Sequence, residues 1–95
     1  MPIATKPFDP ADHLDTEESQ IELLNDAFES GNAAFITQAL GVVARARGMP
    51  DVAREAGVTR EGLYKALGKT GDPKLTTLLG VARALGLKLS VVAAE

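Results

Sequence analysis

Met49-Pro50-Asp51-Val52-Ala53-Arg54-Glu55-Ala56-Gly57-Val58-Thr59-Arg60-Glu61-Gly62-Leu63-Tyr64-Lys65-Ala66-Leu67 is the stretch whose reading decides the fold. Pro50 suits the first turn of a short helix running to about Ala56, because the N–H that proline lacks has no helical partner there anyway. Gly57 permits the positive φ of a sharp turn. Thr59 then caps a second helix of about eight residues that ends near Gly68. Two helices crossing at close range need a small residue where they touch, a glycine at the turn, an apolar plug beneath it and an apolar anchor beyond. Ala53, Gly57, Val58 and Leu63 stand at those offsets. Residues 49 to 67 therefore read as a helix-turn-helix, and Thr59, Arg60, Glu61, Tyr64 and Lys65 face outward on the part of the second helix that enters the major groove of DNA in such motifs.

Side-chain chemistry assigns the base-reading roles. Arg60 can bond the O6 and N7 of a guanine together, worth roughly 1–3 kcal/mol of discrimination. Glu61 can accept from a cytosine N4, complete a helix cap or orient Arg60. Tyr64 can lie on a thymine methyl or bond a phosphate, and Lys65, one turn on, can reach a base or the backbone. Thr59 caps the helix, whose first amides favour a phosphate. Arg54, Lys69, Thr70 and Lys74 belong to the adjoining helix ends and loop, where contacts to the DNA backbone set register without reading sequence. The competing reading of each of these residues is a solvated polar side chain, and it weighs more on Glu61, Lys74 and Arg54 than on Arg60 and Lys65.

Working outward, Gly48 ends a helix whose apolar stripe is Phe35, Ile36, Ala39, Leu40, Val43 and Ala46, with Asn32 as its cap. Gly31 stops the helix before it, in which Ile21, Leu24 and Phe28 recur at helical spacing beside Leu23 and Ala27. Asp15 and Glu18 suggest a capping box at its start, and Thr16 is a rival cap. Residues 1–14, with Pro2, Pro7 and Pro10, read as an extended arm anchored by Phe8. Beyond the motif, 68–72 is a loop. Asp72 followed by Pro73 reads as a cap with proline at the first helical position, and a fifth helix carries Leu75, Leu78, Leu79, Ala82 and Leu85 on one side up to Gly86. The apolar period then drops to two, so 87–93 reads as an edge strand. A lone strand must pair, either with the same strand of a second chain or with the N-terminal arm. The fold class is mainly α: one five-helix domain over 15–95 with a short C-terminal strand.

Composition is that of one small globular domain: 95 residues, 45% hydrophobic and 24% charged. The absence of cysteine excludes a disulfide scaffold, and the lone His13 offers little for a metal, so no cofactor or metal is expected. No Ser/His/Asp set or glycine-rich phosphate loop is present, which argues against an enzyme. Met1 to Lys6 lacks the apolar region of a signal peptide and no apolar run is long enough for a membrane, so a cytoplasmic protein is expected.

The net charge of −3 looks wrong for a DNA binder, but it hides a polarity. Residues 1–32 hold eight acids against Lys6 alone, whereas 33–95 hold nine bases against five acids. An acidic segment joined to a basic remainder suggests two surfaces with different partners, one of them polyanionic. A merely solvated acidic helix reads the same way.

The chain resembles the addiction-module antidote family, HigA-like antitoxins with a lambda-repressor-like helix-turn-helix of the XRE type. The resemblance rests on Phe8-Asp9-Pro10-Ala11-Asp12-His13-Leu14, on Ala44-Arg45-Ala46-Arg47-Gly48-Met49, on Val52 to Leu67, on Gly71-Asp72-Pro73-Lys74-Leu75-Thr76-Thr77-Leu78 and on Ala84-Leu85-Gly86-Leu87-Lys88-Leu89. It implies a dimeric bacterial protein that binds and neutralises a RelE/ParE-like toxin and represses its own operon at a palindromic operator in double-stranded DNA. RelE-like toxins tend to be basic, so the resemblance also gives Asp15, Glu17, Glu18, Glu22, Asp26 and Glu29 a possible role in covering the toxin. Two positions depart from the family's habit. Gly62 stands where serine is more common, at a helix cost of about 1 kcal/mol relative to alanine, and Asp72 replaces a common asparagine. Two other readings stay open: a stand-alone helix-turn-helix transcriptional regulator, and a protein-interaction module without DNA affinity, which the acidic balance favours.

Overall fold

The computed structural model describes residues 16–95, and those residues fold into five helices: α1 (Glu17–Ser30), α2 (Ala33–Arg47), α3 (Met49–Ala56), α4 (Arg60–Ala66) and α5 (Leu75–Ala84). The N-terminal arm and Asp15 lie outside the described residues. Each early boundary has a local cause. Thr16 caps α1 by accepting the Ser19 N–H at 3.1 Å, with Glu17 and Glu18 in the first turn where the helix dipole favours acids. The expected capping box of Asp15 and Glu18 gives way to Thr16, whose hydroxyl reaches the Ser19 amide. Gly31, at φ 66°, ends α1, and Asn32 opens α2 by accepting the Phe35 N–H at 3.0 Å.

α2 is the central helix. It buries Thr37, Ala39, Leu40, Gly41, Val43 and Ala44, while Phe35, Ile36 and Ala46 are half-buried. Gly41 has no room for a side chain, since a Cβ there would stand 3.0 Å from the Leu67 carbonyl oxygen; the end of α4 thus rests on the middle of α2. The core closes over Leu63, Leu85, Val43 and Val81, all fully buried.

Two helices keep part of the expected apolar stripe inward, Leu24 and Ala27 in α1 and Leu78, Ala82 and Leu85 in α5, but are rolled so that the rest of it faces out. In α1 the buried residues are Gln20, Leu24 and Ala27, leaving Ile21 37% and Phe28 39% exposed. The rotation is made possible by Arg47, whose Nε–H donates to Gln20 Oε1 at 2.6 Å; a buried amide with a partner carries no desolvation penalty. In α5 the buried row is Val81, Ala82 and Leu85 with Leu78 half-buried, and Leu75 and Leu79 face solvent at 66% and 44% exposure. The cause is Gly80, which lies so near α3 that a Cβ would meet the Ala56 carbonyl oxygen at 2.9 Å. That close approach fixes the roll of α5 and brings 78, 81, 82 and 85 under the core.

α5 also starts later than Asp72-Pro73 suggested. Residues 71–74 form no helix, and Lys74 occupies the cap position without a side-chain bond. Gly71 is held against the Ala66 carbonyl, so the chain must travel further before it can turn into the helix. At the other end the Leu87 N–H donates to the Ala82 carbonyl at 2.8 Å, and beyond it the chain runs without helix or strand. No strand is formed over 87–93 among the described residues, and of its two expected partners a second chain is not present and the N-terminal arm lies outside those residues.

Candidate nucleic-acid interface

α3 and α4 are joined by Gly57, at φ 77°, and Val58, whose N–H donates to the Ala53 carbonyl at 3.0 Å. Val52, Ala53 and Leu63 are buried and Val58 is half-buried, so all the offsets that demanded small or apolar residues are filled from inside. Anchoring Leu63 fixes the rotation of α4. Thr59, Arg60, Glu61, Tyr64 and Lys65 are consequently all exposed, on one continuous face. Thr59 accepts the Gly62 N–H at 2.9 Å, so that amide serves the cap and is not offered to a phosphate as expected. The apolar ring of Tyr64, half in solvent, is held out by the helix rather than folded onto the core.

The residues assigned to DNA backbone contact are not all brought together. Thr70 and Lys74 converge with Lys65 of the base-reading set on one depression of about 340 Å³ between the end of α4 and the start of α5, which Gly62, Gly71, Asp72 and Thr77 also line. Lys69 is exposed on the adjoining loop but does not line it. Arg54 stands apart on α3, where its guanidinium donates to Asp51 at 2.9 Å, both side chains being exposed. The sequence contained that pair at i and i+3, a spacing that brings two side chains together on a helix. The glycines of the depression were the harder part to foresee. Gly62 and Gly71 matter because they leave space, and space is a property of the fold.

The acids sit elsewhere. Glu17, Glu18, Glu22, Asp26 and Glu29 are exposed along α1, which packs on α2, whereas α4 packs on α3. The all-acidic row of α1 is therefore on a different element from α4, which carries Arg60 and Lys65 together with Glu61. Among the described residues no group of His, Asp or Glu is placed to hold a metal ion, and no helix is long and apolar enough to cross a membrane.

Fold and face together define a small helical protein that presents to solvent one short helix bearing Arg60, Glu61 and Lys65, and another, α1, whose charged residues are all acids. The chain belongs to the family described as probable addiction module antidote protein, whose profile matches residues 4–93. It is also 48% identical over 86 residues to an uncharacterised protein of Haemophilus influenzae, covering 90% of this chain and 89% of that one. No solved structure matches it. Membership in an antidote family implies a toxin partner and fits a regulatory protein better than an enzyme.

Proposed function

We propose that the chain is a DNA-binding antitoxin of a type II toxin–antitoxin module, with a HigA-like, XRE-type helix-turn-helix at residues 49–67. In this reading it represses its own operon and neutralises a RelE/ParE-like toxin in the cytoplasm. The observation that carries the DNA half is the exposure of Thr59, Arg60, Glu61, Tyr64 and Lys65 on one face of a helix whose opposite side is locked by Leu63. A helix so held offers a fixed set of donors and acceptors suited to base edges, and Lys65, Thr70 and Lys74 line one depression beside it, a grouping that supports the backbone-contact reading. The protein acts as a homodimer on a palindrome, with half-sites about one helical turn, ~34 Å, apart.

The test is an electrophoretic mobility shift with the DNA upstream of the gene. Retardation at low salt that falls steeply as salt rises is the expected result. Absence of retardation at low salt overturns the DNA half and leaves a protein-interaction module, the reading that the net charge of −3 favours.

A further inference from the structure

A groove of about 130 Å³ lies where α1, the end of α5 and the chain after α5 meet. Leu24 is its buried floor, Ile21 and Phe28 stand beside it on α1, each more than a third exposed, and Leu87 and Leu89 come from the chain after α5. Lys88 is the one charged residue among the described walls.

The groove is the size of one aromatic ring, since an apolar cavity of roughly 150 Å³ takes a benzene. The rings of the chain are Phe8, Phe28, Phe35 and Tyr64. Phe28 is itself a wall, Phe35 packs from α2 against the core, and Tyr64 is held out on α4. Phe8 is the remaining ring, and it belongs to residues 1–15, outside the described residues. Those residues join the structure at Thr16, the cap of α1. Ile21 and Phe28 stand about 7.5 and 18 Å along the helix axis from that cap. The chain from Phe8 to Thr16, if extended, spans about 27 Å. Phe8 can therefore reach any point between Ile21 and Phe28 when the segment runs back along α1.

Charge separates this occupant from a second copy. Residues 1–15 carry Asp9, Asp12 and Asp15 against Lys6, so the segment that brings Phe8 is acidic where the groove's own charge, Lys88, is basic. Complementary charges favour a docked pair, and like charges set against each other oppose it. A second copy laid groove to groove brings two Lys88 ammoniums into one small interface.

We infer that residues 8–15 run back along α1 and seat the ring of Phe8 in the groove between Ile21, Phe28 and Leu89, so that the N-terminal segment clasps the chain after α5 to α1. Phe28 is the aromatic neighbour of the seated ring, and Lys88 holds the acidic segment at the rim. The clasp is intramolecular and stands independently of the DNA and antidote readings.

The experiment uses the full chain, with stability from urea unfolding, folding checked by circular dichroism, and the methyl resonances of Leu24 and Leu89 followed by nuclear magnetic resonance. Phe8→Ala and Phe28→Ala each lower the folding equilibrium constant by about 10-fold or more, as exposure of a buried ring does. The double variant loses little more than either alone, because each ring is the other's contact. Phe8→Ala combined with Leu79→Ala, an exposed leucine outside the groove, is additive. Phe8→Leu keeps an apolar side chain but removes the ring current, and it shifts the Leu24 and Leu89 methyl resonances in a protein that stays folded. Strictly additive effects of Phe8 and Phe28, or Phe8→Leu resonances at their wild-type positions, overturn the inference and leave the groove to another protein. A wild-type dimer that Phe28→Ala converts to a monomer, while Phe8→Ala leaves it dimeric, gives the groove to a second copy and overturns the inference as well.

Discussion

Gln20 and Arg47 are joined by a 2.6 Å hydrogen bond that ties the first turn of α1 to the last turn of α2, across 27 residues of chain. Gln20 is almost wholly buried, while Arg47 reaches it from an exposed position. Gln20→Ala removes a bonded amide and leaves space behind, and is expected to lower stability by about 1–3 kcal/mol in urea unfolding. Gel retardation by the folded fraction should be unchanged, because α1 packs chiefly on α2 whereas α4 packs on α3. A neutral effect on stability would show that the bond does not set the roll of α1.

Thr59→Ala is expected to cost about 1 kcal/mol of stability through loss of the cap on α4. The cost should shrink in a Gly62→Ala background. There an added Cβ stands 2.9 Å from Thr59 Oγ1 and forces the hydroxyl aside, weakening the bond that the first substitution deletes. Gly62→Ala alone should be close to neutral, since about 1 kcal/mol of helix propensity offsets the disturbed cap. A double-mutant cycle by thermal or urea unfolding reads the coupling, and strict additivity would show that the two residues do not interact.

Gly71→Ala puts a methyl group into the Ala66 carbonyl, a backbone atom that cannot swing away. Stability should fall by about 2 kcal/mol or more, or the 68–74 loop must shift, drawing Thr70 and Lys74 out of the depression they share with Lys65. Either result is visible as a lower urea midpoint or as weaker DNA retardation, and retention of both at wild-type values contradicts the geometry.

Arg60→Ala should relax sequence preference by about 1–3 kcal/mol at one base pair of the half-site, measured as the ratio of affinities for matched and substituted operators. Lys74→Ala should weaken binding to all sequences alike and flatten the salt dependence by about one unit. Interchanged outcomes would exchange the reading and backbone roles.

Asp51→Ala frees the guanidinium of Arg54 from its surface pair. Such exposed pairs are worth roughly 0–1 kcal/mol, so stability should scarcely move. DNA affinity should rise, because one more cation is available to phosphate. A fall would show that Asp51 holds Arg54 where the DNA backbone needs it.

Helix ends were legible in the sequence because their causes are local: Gly31, Asn32, Gly57 and Thr59 act on neighbours within a few residues. So was the outward set on α4, fixed by the single inward residue Leu63. The rolls of α1 and α5 were not. Ile21 and Phe28 fit a helical stripe as well as Gln20, Leu24 and Ala27 do, and a partner for a buried Gln20 comes from Arg47, far along the chain. Leu75 and Leu79 look like core until Gly80 meets Ala56. The 87–93 alternation describes side chains suited to a strand, but pairing depends on what lies alongside. Arg54 shows the reverse limit: its charge suits DNA, yet Asp51, three residues before it on the same helix, stands at the spacing that pairs with it.

The contact between Gly80 and the Ala56 carbonyl has a meaning for descent. Neither side offers a rotamer that could yield, so a lineage cannot enlarge position 80 without moving the end of α3, and with it the turn at Gly57 that aims α4. Across relatives position 80 should therefore stay glycine whatever side chain stands at 56, and a larger residue there should surface only where the end of α3, and with it the sequence that α4 reads, has changed as well.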